Sequence, residues 1–138
     1  MNNTLKSIML VDDNADDNFI HTRLIKKNDL AEIIIVKQTA LGALEYLKSK
    51  KENSTPPPPP DLLFLDINMP GMNGWEFLEE YSKLSVEFKC KTVIIMLTTS
   101  DNPADLHKAK LYQPISDFRT KPLTVGMIEE IISNFFKQ

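Results

Sequence analysis

Asp12 and Asp13 follow Ile8-Met9-Leu10-Val11, Asp66 follows Leu62-Leu63-Phe64-Leu65, Thr98 follows Thr92 to Leu97, and Lys121 follows the short segment Asp117 to Thr120. Each of these polar residues closes a short apolar or β-rich run. If the runs are neighbouring strands, three carboxylates, a hydroxyl and an ammonium converge. Two unit charges roughly 4 Å apart repel by about 4 kcal/mol at an effective dielectric near 20, so such a cluster demands a cation. A hard divalent ion with oxygen ligands suits it. Mg2+ fits best because it tolerates few protein ligands and bridges to phosphate oxygens, and Mn2+ or Ca2+ could substitute. With Asp12 and Asp13 holding the metal, Asp66 becomes a nucleophile for in-line attack on phosphorus. Thr98 and Lys121 would then bind the new phosphoryl oxygens, one through its hydroxyl and one through a charge-assisted bond.

The elements that must position these residues alternate along the chain. Lys6 to Val11 reads as a strand buried on both faces, because it is apolar and ends abruptly in acid. Asp16 to Lys27 carries Phe19, Ile20, Leu24 and Ile25 at helical spacing, with Asp16 or Asp17 placed to cap the first turn. Ile33 to Val36 is a β-branched strand, and Ala40, Ala43, Leu44 and Leu47 mark one face of a second helix. Lys50 to Pro60 is polar, ends in five prolines, and reads as a stiff extended connector. Leu62 to Leu65 is a third strand. After the turn marked by Gly71 and Gly74, Trp75, Phe77, Leu78, Tyr81 and Leu84 mark a third helix. A fourth strand spans Thr92 to Leu97, a short helix opens at Asn102-Pro103 and runs through Leu106 and Ala109, and a fifth strand spans Asp117 to Thr120. Met127, Ile128, Ile131, Ile132 and Phe135 face a last helix.

This alternation predicts an α/β fold: a doubly wound, five-stranded parallel sheet with five helices. Ligands of such sheets bind beyond the carboxyl ends of the strands, where the strand order reverses. In the common order 2-1-3-4-5, strands 1 and 3 are neighbours, and Asp12, Asp13 and Asp66 meet there.

The totals set outer bounds. At 138 residues, 42% hydrophobic and 25% charged, the chain reads as one water-soluble domain over 1–138, with Lys50 to Pro60 a Pro-rich insertion. No apolar run approaches the roughly 18 residues of a membrane span. The start MNNTLKS lacks the features of a signal peptide, and the single cysteine, Cys90, cannot form an internal disulfide, so a cytoplasmic location is expected. A formal charge of −3 argues against a nucleic-acid binder.

At the chemistry-bearing residues the chain resembles the response-regulator receiver family of two-component signalling, over Ile8 to Phe136. The resemblance rests on Met9-Leu10-Val11-Asp12-Asp13-Asn14, Leu65-Asp66-Ile67-Asn68-Met69-Pro70-Gly71-Met72-Asn73-Gly74, Met96-Leu97-Thr98-Thr99-Ser100 and Lys121-Pro122-Leu123. It implies a flavodoxin-like fold with Asp66 as phosphoacceptor. Asp12 and Asp13 become the acidic pair, Asn68 a metal ligand through its main-chain carbonyl, and Thr98 with Lys121 the switch pair. It also implies a cis Lys121-Pro122 bond, and makes Phe118, where many members have tyrosine, the aromatic that swings inward on activation. Thr99 stands where the family often has alanine and narrows that path. Asp16 and Asp17 resemble a subgroup of stand-alone receivers, some partnered with light-sensing kinases, although helix capping is the simpler reading of both. The implied phosphodonor is a sensor histidine kinase or a histidine phosphotransfer protein. Because the chain ends at Gln138, directly after the last helix, no output domain is expected. Output would pass by contact to a downstream protein through the fourth helix, fifth strand and fifth helix, with no nucleic acid or membrane involved.

Two other classes compete. A magnesium-dependent phosphatase or phosphotransferase with an aspartyl nucleophile usually carries a second acid two residues later. That position is Asn68, which cannot act as a general acid. A phosphorylation-independent pseudo-receiver scaffold usually lacks an acid, the threonine or the lysine, and none is missing here. A self-modifying switch, not a conventional turnover enzyme, is therefore expected. Trp75 and Tyr81 read as core residues of helix 3, and His21, with no second histidine nearby, as neither a relay histidine nor a metal ligand.

Overall fold

The structure is a computed structural model and describes residues 4–48, 60–83, 92–98, 107–108, 111 and 115–136. Its elements are β1 (Leu5–Val11), α1 (Ala15–Lys27), β2 (Ala31–Lys37), α2 (Ala40–Lys48), β3 (Leu62–Leu65), α3 (Gly74–Ser82), β4 (Val93–Thr98), β5 (Ile115–Thr120) and α4 (Val125–Phe135). The five strands form one sheet in the order β2-β1-β3-β4-β5, and every neighbouring pair is parallel. The doubly wound parallel sheet is the one expected from the alternation, and its strand order is the flavodoxin-like one that the resemblance implies. Four helices stand among the described residues. The expected helix opened by Asn102-Pro103 lies mostly outside them, with His107 and Lys108 helical. Cys90, Thr99 and most of the Lys50 to Pro60 loop also lie outside the described residues. No described helix is long and apolar enough to cross a membrane.

Side chains alternate across each strand, so the sheet sorts its apolar residues into two cores. Met9, Val11, Leu63, Leu65, Ile94 and Met96 face one side and pack with α2 and α3 through Leu44, Leu47, Phe77 and Leu78. Ile8, Leu10, Leu62, Phe64, Ile95 and Leu97 face the other and pack with α1 and α4 through Ile25, Ile128, Ile131 and Ile132. The central strands β1, β3 and β4 are buried nearly throughout, which is why they read as unbroken apolar runs. β2 and β5 form the edges. Ile33 and Val36, expected to be ordinary strand residues, are exposed on the β2 edge.

The first helix departs from its apolar pattern. Phe19 and Ile20 are 66% and 56% exposed, and the buried residues of α1 are Asn18, His21 and Ile25. The helix thus turns two polar side chains inward where it passes the carboxyl end of the sheet, and buries an aliphatic one farther along. Its cap differs too. Asn14, not Asp16 or Asp17, is the N-cap, and its side chain accepts a hydrogen bond from the Asp17 amide at 3.1 Å. Both aspartates still sit in the first turn, where the helix dipole favours negative charge.

α3 begins in very close quarters. Asn73 and Glu76 form a reciprocal capping box, and Gly74 donates its amide to the Ile67 carbonyl at 2.8 Å. A Cβ on Gly74 would stand 2.6 Å from the Asp66 carbonyl oxygen and 2.9 Å from the Ile67 Cα. Both neighbours are backbone and cannot rotate away. Gly74→Ala is therefore expected to destabilise the fold by about 2 kcal/mol. At exposed Gly126 in α4, an added Cβ meets only Thr124 Oγ1 at 3.9 Å, so Gly126→Ala should instead stabilise by up to about 1 kcal/mol through helix propensity. Urea denaturation of the two variants beside the wild type measures both signs.

Candidate functional site

Strand register builds the site. Val11 pairs with Leu65 across the β1–β3 ladder, and the Asp66 amide donates to the Val11 carbonyl at 3.0 Å. The next residue on each strand, Asp12 and Asp66, therefore emerges side by side. Thr98 pairs with Thr120 across β4 and β5, and the Lys121 amide donates to the Thr98 carbonyl at 2.7 Å. That bond brings the start of the β5–α4 connection to the same end of the sheet. The Lys121-Pro122 bond is cis.

Asp12, Asp13 and Asp66 each offer a carboxylate oxygen, and the three oxygens lie within 4.8 Å of one another. Asp12 and Asp66 are buried, while Asp13 is exposed and open to water. Lys121 Nζ donates to Asp12 Oδ2 at 2.6 Å and to Asp17 Oδ2 at 2.7 Å, and stands 3.8 Å from Asp66 Oδ1. Only 8% of the Lys121 side chain is exposed, so this ammonium does not snorkel to bulk water. The other Asp12 oxygen, Oδ1, accepts from the Asn14 amide at 2.9 Å.

The charges are unevenly neutralised. Burial, reinforced by Asp12 and Asp13, pushes the Asp66 carboxyl up to about 6, against the opposing pull of Lys121 and the Ile67 amide. Burial also works against the Lys121 ammonium, but its bonds to Asp12 and Asp17 and the field of Asp66 outweigh it and hold its pKa above that of an ordinary lysine. The site as built still has more negative than positive charge. Its donors are all hard oxygens, they come from neighbouring segments, and their mutual repulsion is relieved by a cation. These residues therefore fit a divalent metal, with Asp12, Asp13 and Asp66 as the side chains that would hold it.

The remaining expected residues fall as follows. Thr98 ends β4 and is fully buried. Asn68 is exposed in the loop between β3 and α3. Phe118 is half-buried on β5, where it pairs with Met96 and packs against the core on the α2–α3 side. Trp75 and Tyr81 are core residues, and the Lys108 ammonium sits 4.9 Å from the centre of the Trp75 ring.

Three contributors were not assigned to the site by sequence reasoning. Asp17 binds Lys121. Asn18 donates through Nδ2 to the Asp12 carbonyl at 2.8 Å. His21 is buried, and burial lowers its pKa despite the nearby Asp17 carboxylate. Asn18 and His21 line a small cavity together with Asp12, Asp66 and Phe64. The sequence does hold a signal for them, since positions 17, 18 and 21 share one face of a helix. The apolar pattern of Phe19 and Ile20 masks it.

Comparison with known proteins agrees with this geometry. The family model described as "Response regulator receiver domain" matches residues 8–133, and the chain belongs to that family. It is 28% identical over 137 residues to two-component response regulator ARR5 of Arabidopsis thaliana, covering 96% of this chain and 72% of that protein. It is 30% identical over 104 residues to response regulator Rcp1 of Synechocystis sp., covering 75% of this chain and 69% of that protein. The crystal structure of a response regulator receiver protein from Dyadobacter fermentans superposes with a TM-score of 0.84 at 25% identity, covering 96% of this chain and 99% of that one.

The raised Asp66 pKa has a stability consequence of definite sign. In the unfolded chain this carboxyl ionises near its ordinary 3.8, whereas in the metal-free folded protein it ionises near 6. Its contribution to stability is fully present below the lower value and is lost as pH rises through the upper one. Without divalent ions, the thermal midpoint should gain a downward component between about pH 4 and 6 that Asp66→Asn lacks. Added Mg2+ should raise the midpoint more at pH 7.5 than at pH 5, and scanning calorimetry over a pH series reads both effects.

Proposed function

We propose that the protein is a phosphorylation-dependent signalling switch that accepts a phosphoryl group on Asp66 from a phosphohistidine donor, a sensor histidine kinase or a histidine phosphotransfer protein. Membership of the receiver family establishes phosphorylation-based two-component signalling as the general setting. The observation that carries the finer reading is the meeting of Asp12, Asp13 and Asp66 within 4.8 Å of one another, with the Lys121 ammonium beside them.

Each side chain has a task that its surroundings suit. An Asp66 carboxylate oxygen attacks phosphorus in line with the nitrogen–phosphorus bond of the donor. That bond breaks, the imidazole leaves with its electron pair and takes up a proton, and Asp66 becomes an acyl phosphate. Asp12 and Asp13, with Asp66 and the Asn68 carbonyl, would hold a divalent cation, which when bound neutralises charge on the phosphoryl oxygens. Mg2+ is the preferred ion. The relative Rcp1 is known in a Mn2+-bound form, which supports a site of this type, and Ca2+ is a further candidate. Lys121 supplies the second positive charge, and the Thr98 hydroxyl is suited to bind a phosphoryl oxygen. Phe118, half-buried beside β4, would follow Thr98 inward on this reading. Since phenylalanine lacks a hydroxyl, it would signal through packing alone. Output by contact with a protein target completes the reading, without the continuous turnover of an enzyme on an external substrate.

Incubation with acetyl phosphate and Mg2+, followed by intact-mass measurement, is expected to add the mass of one phosphoryl group. Asp66→Asn or a chelator should abolish the addition. Steady release of phosphate from unrelated phosphoesters would replace this reading with a phosphatase, and no added mass under any condition would replace it with a phosphorylation-independent scaffold.

A further inference from the structure

We propose that Asp17 is a positioning residue that competes with the phosphoryl group on Asp66 for the ammonium of Lys121. The inference rests on the phosphoacceptor reading of Asp66 and extends it to a residue that the reading does not use.

The ammonium has three N–H donors. One goes to Asp12 Oδ2 at 2.6 Å and one to Asp17 Oδ2 at 2.7 Å, while the 3.8 Å separation from Asp66 Oδ1 lies beyond hydrogen-bond range. In its resting arrangement, Lys121 is bound to the wrong acids for sensing a phosphoryl group. Asp12 belongs to the set of three carboxylates that can share an ion, and Asp17 does not. A cation drawn to that set competes with Lys121 for Asp12, but leaves the bond to Asp17 in place. Asp17 is therefore the partner that keeps the ammonium parked.

Phosphorylation changes the balance. A phosphoryl group brings a charge of about −2 and several strong acceptor oxygens, against the single charge of one carboxylate. For Lys121 to bond it at ordinary length, the ammonium must move toward Asp66 and loosen its hold on Asp17. The Asp17 side chain is 29% exposed, so water can solvate it once Lys121 leaves. The exchange is thus reversible, and hydrolysis of the acyl phosphate returns Lys121 to Asp17. In this way Asp17 lowers the affinity of the site for a phosphoryl group.

Asp17 also lies in the first turn of α1, where any acid interacts with the helix dipole. Asp16 provides the control. It carries the same charge in the same turn, is exposed, and makes no bond to Lys121 among the described residues.

The test titrates the full chain with beryllium trifluoride, a mimic of the phosphoryl group, at saturating Mg2+ by calorimetry. Asp17→Asn is expected to bind about tenfold more tightly than the wild type, the scale of one charge-assisted hydrogen bond, and Asp17→Ser should move the same way. Asp16→Asn should stay within about twofold, the scale of a screened surface charge. Asp17→Glu should return the affinity toward that of the wild type. A damaged fold weakens binding, so tighter binding cannot arise from structural loss. If the Asp17 variants match Asp16→Asn or bind more weakly than the wild type, the competition is disproved while the phosphoacceptor reading stands. If the wild type neither binds the mimic nor gains mass from acetyl phosphate, the phosphoacceptor reading falls and takes this inference with it.

Discussion

The side-by-side exit of Asp12 and Asp66 from neighbouring parallel strands governs this molecule. The β1–β3 register fixes it, and no side-chain rotation can undo it, because the two main chains are hydrogen-bonded up to the residue before. Two buried carboxylates at such a place repel each other and lose hydration together. The surroundings answer that conflict only in part. Lys121 bonds one of the pair and stays short of the other, so the conflict persists and is concentrated on Asp66. A carboxyl left in that condition has much to gain from a metal ion.

The rest of the architecture makes the arrangement affordable. Two apolar layers, one under α2 and α3 and one under α1 and α4, bury the middle of the sheet on both faces. Strain among charges is confined to one rim. At that rim the polar side of α1 faces inward, with Asn18 bonded to the Asp12 carbonyl and Asp17 bonded to Lys121. The helix that seals one core thereby also furnishes part of the charge network.

Much of this was legible from residue order. Strands buried on both faces announce themselves as unbroken apolar runs, and a polar residue that ends such a run must lie at the sheet's functional edge. Asp12, Asp13, Asp66 and Thr98 were readable for that reason, and Lys121 from its place directly after the short edge strand β5. Residues on α1 were not, because the rotation of a helix about its axis is set by packing. Phe19 and Ile20 suggested an inward face that in fact points to solvent. Asp17 was harder still, since its partner lies 104 residues away, and an acid in a first turn has an adequate local explanation. The single-residue register shift between β4 and β5 near Ile94 was likewise invisible, as it depends on how two distant segments pair.

The tight seat of Gly74 adds a mechanical corollary. With no room for even one carbon between α3 and the main chain of Asp66 and Ile67, the helix and that segment abut like a rod against an anvil. A displacement of the Asp66 backbone toward Gly74 cannot be absorbed locally and must be passed on to α3, and through Phe77 and Leu78 to the layer beneath it. Any shift of the main chain at Asp66 and Ile67 toward the start of this helix is thus met by backbone and not by a side chain that could rotate aside.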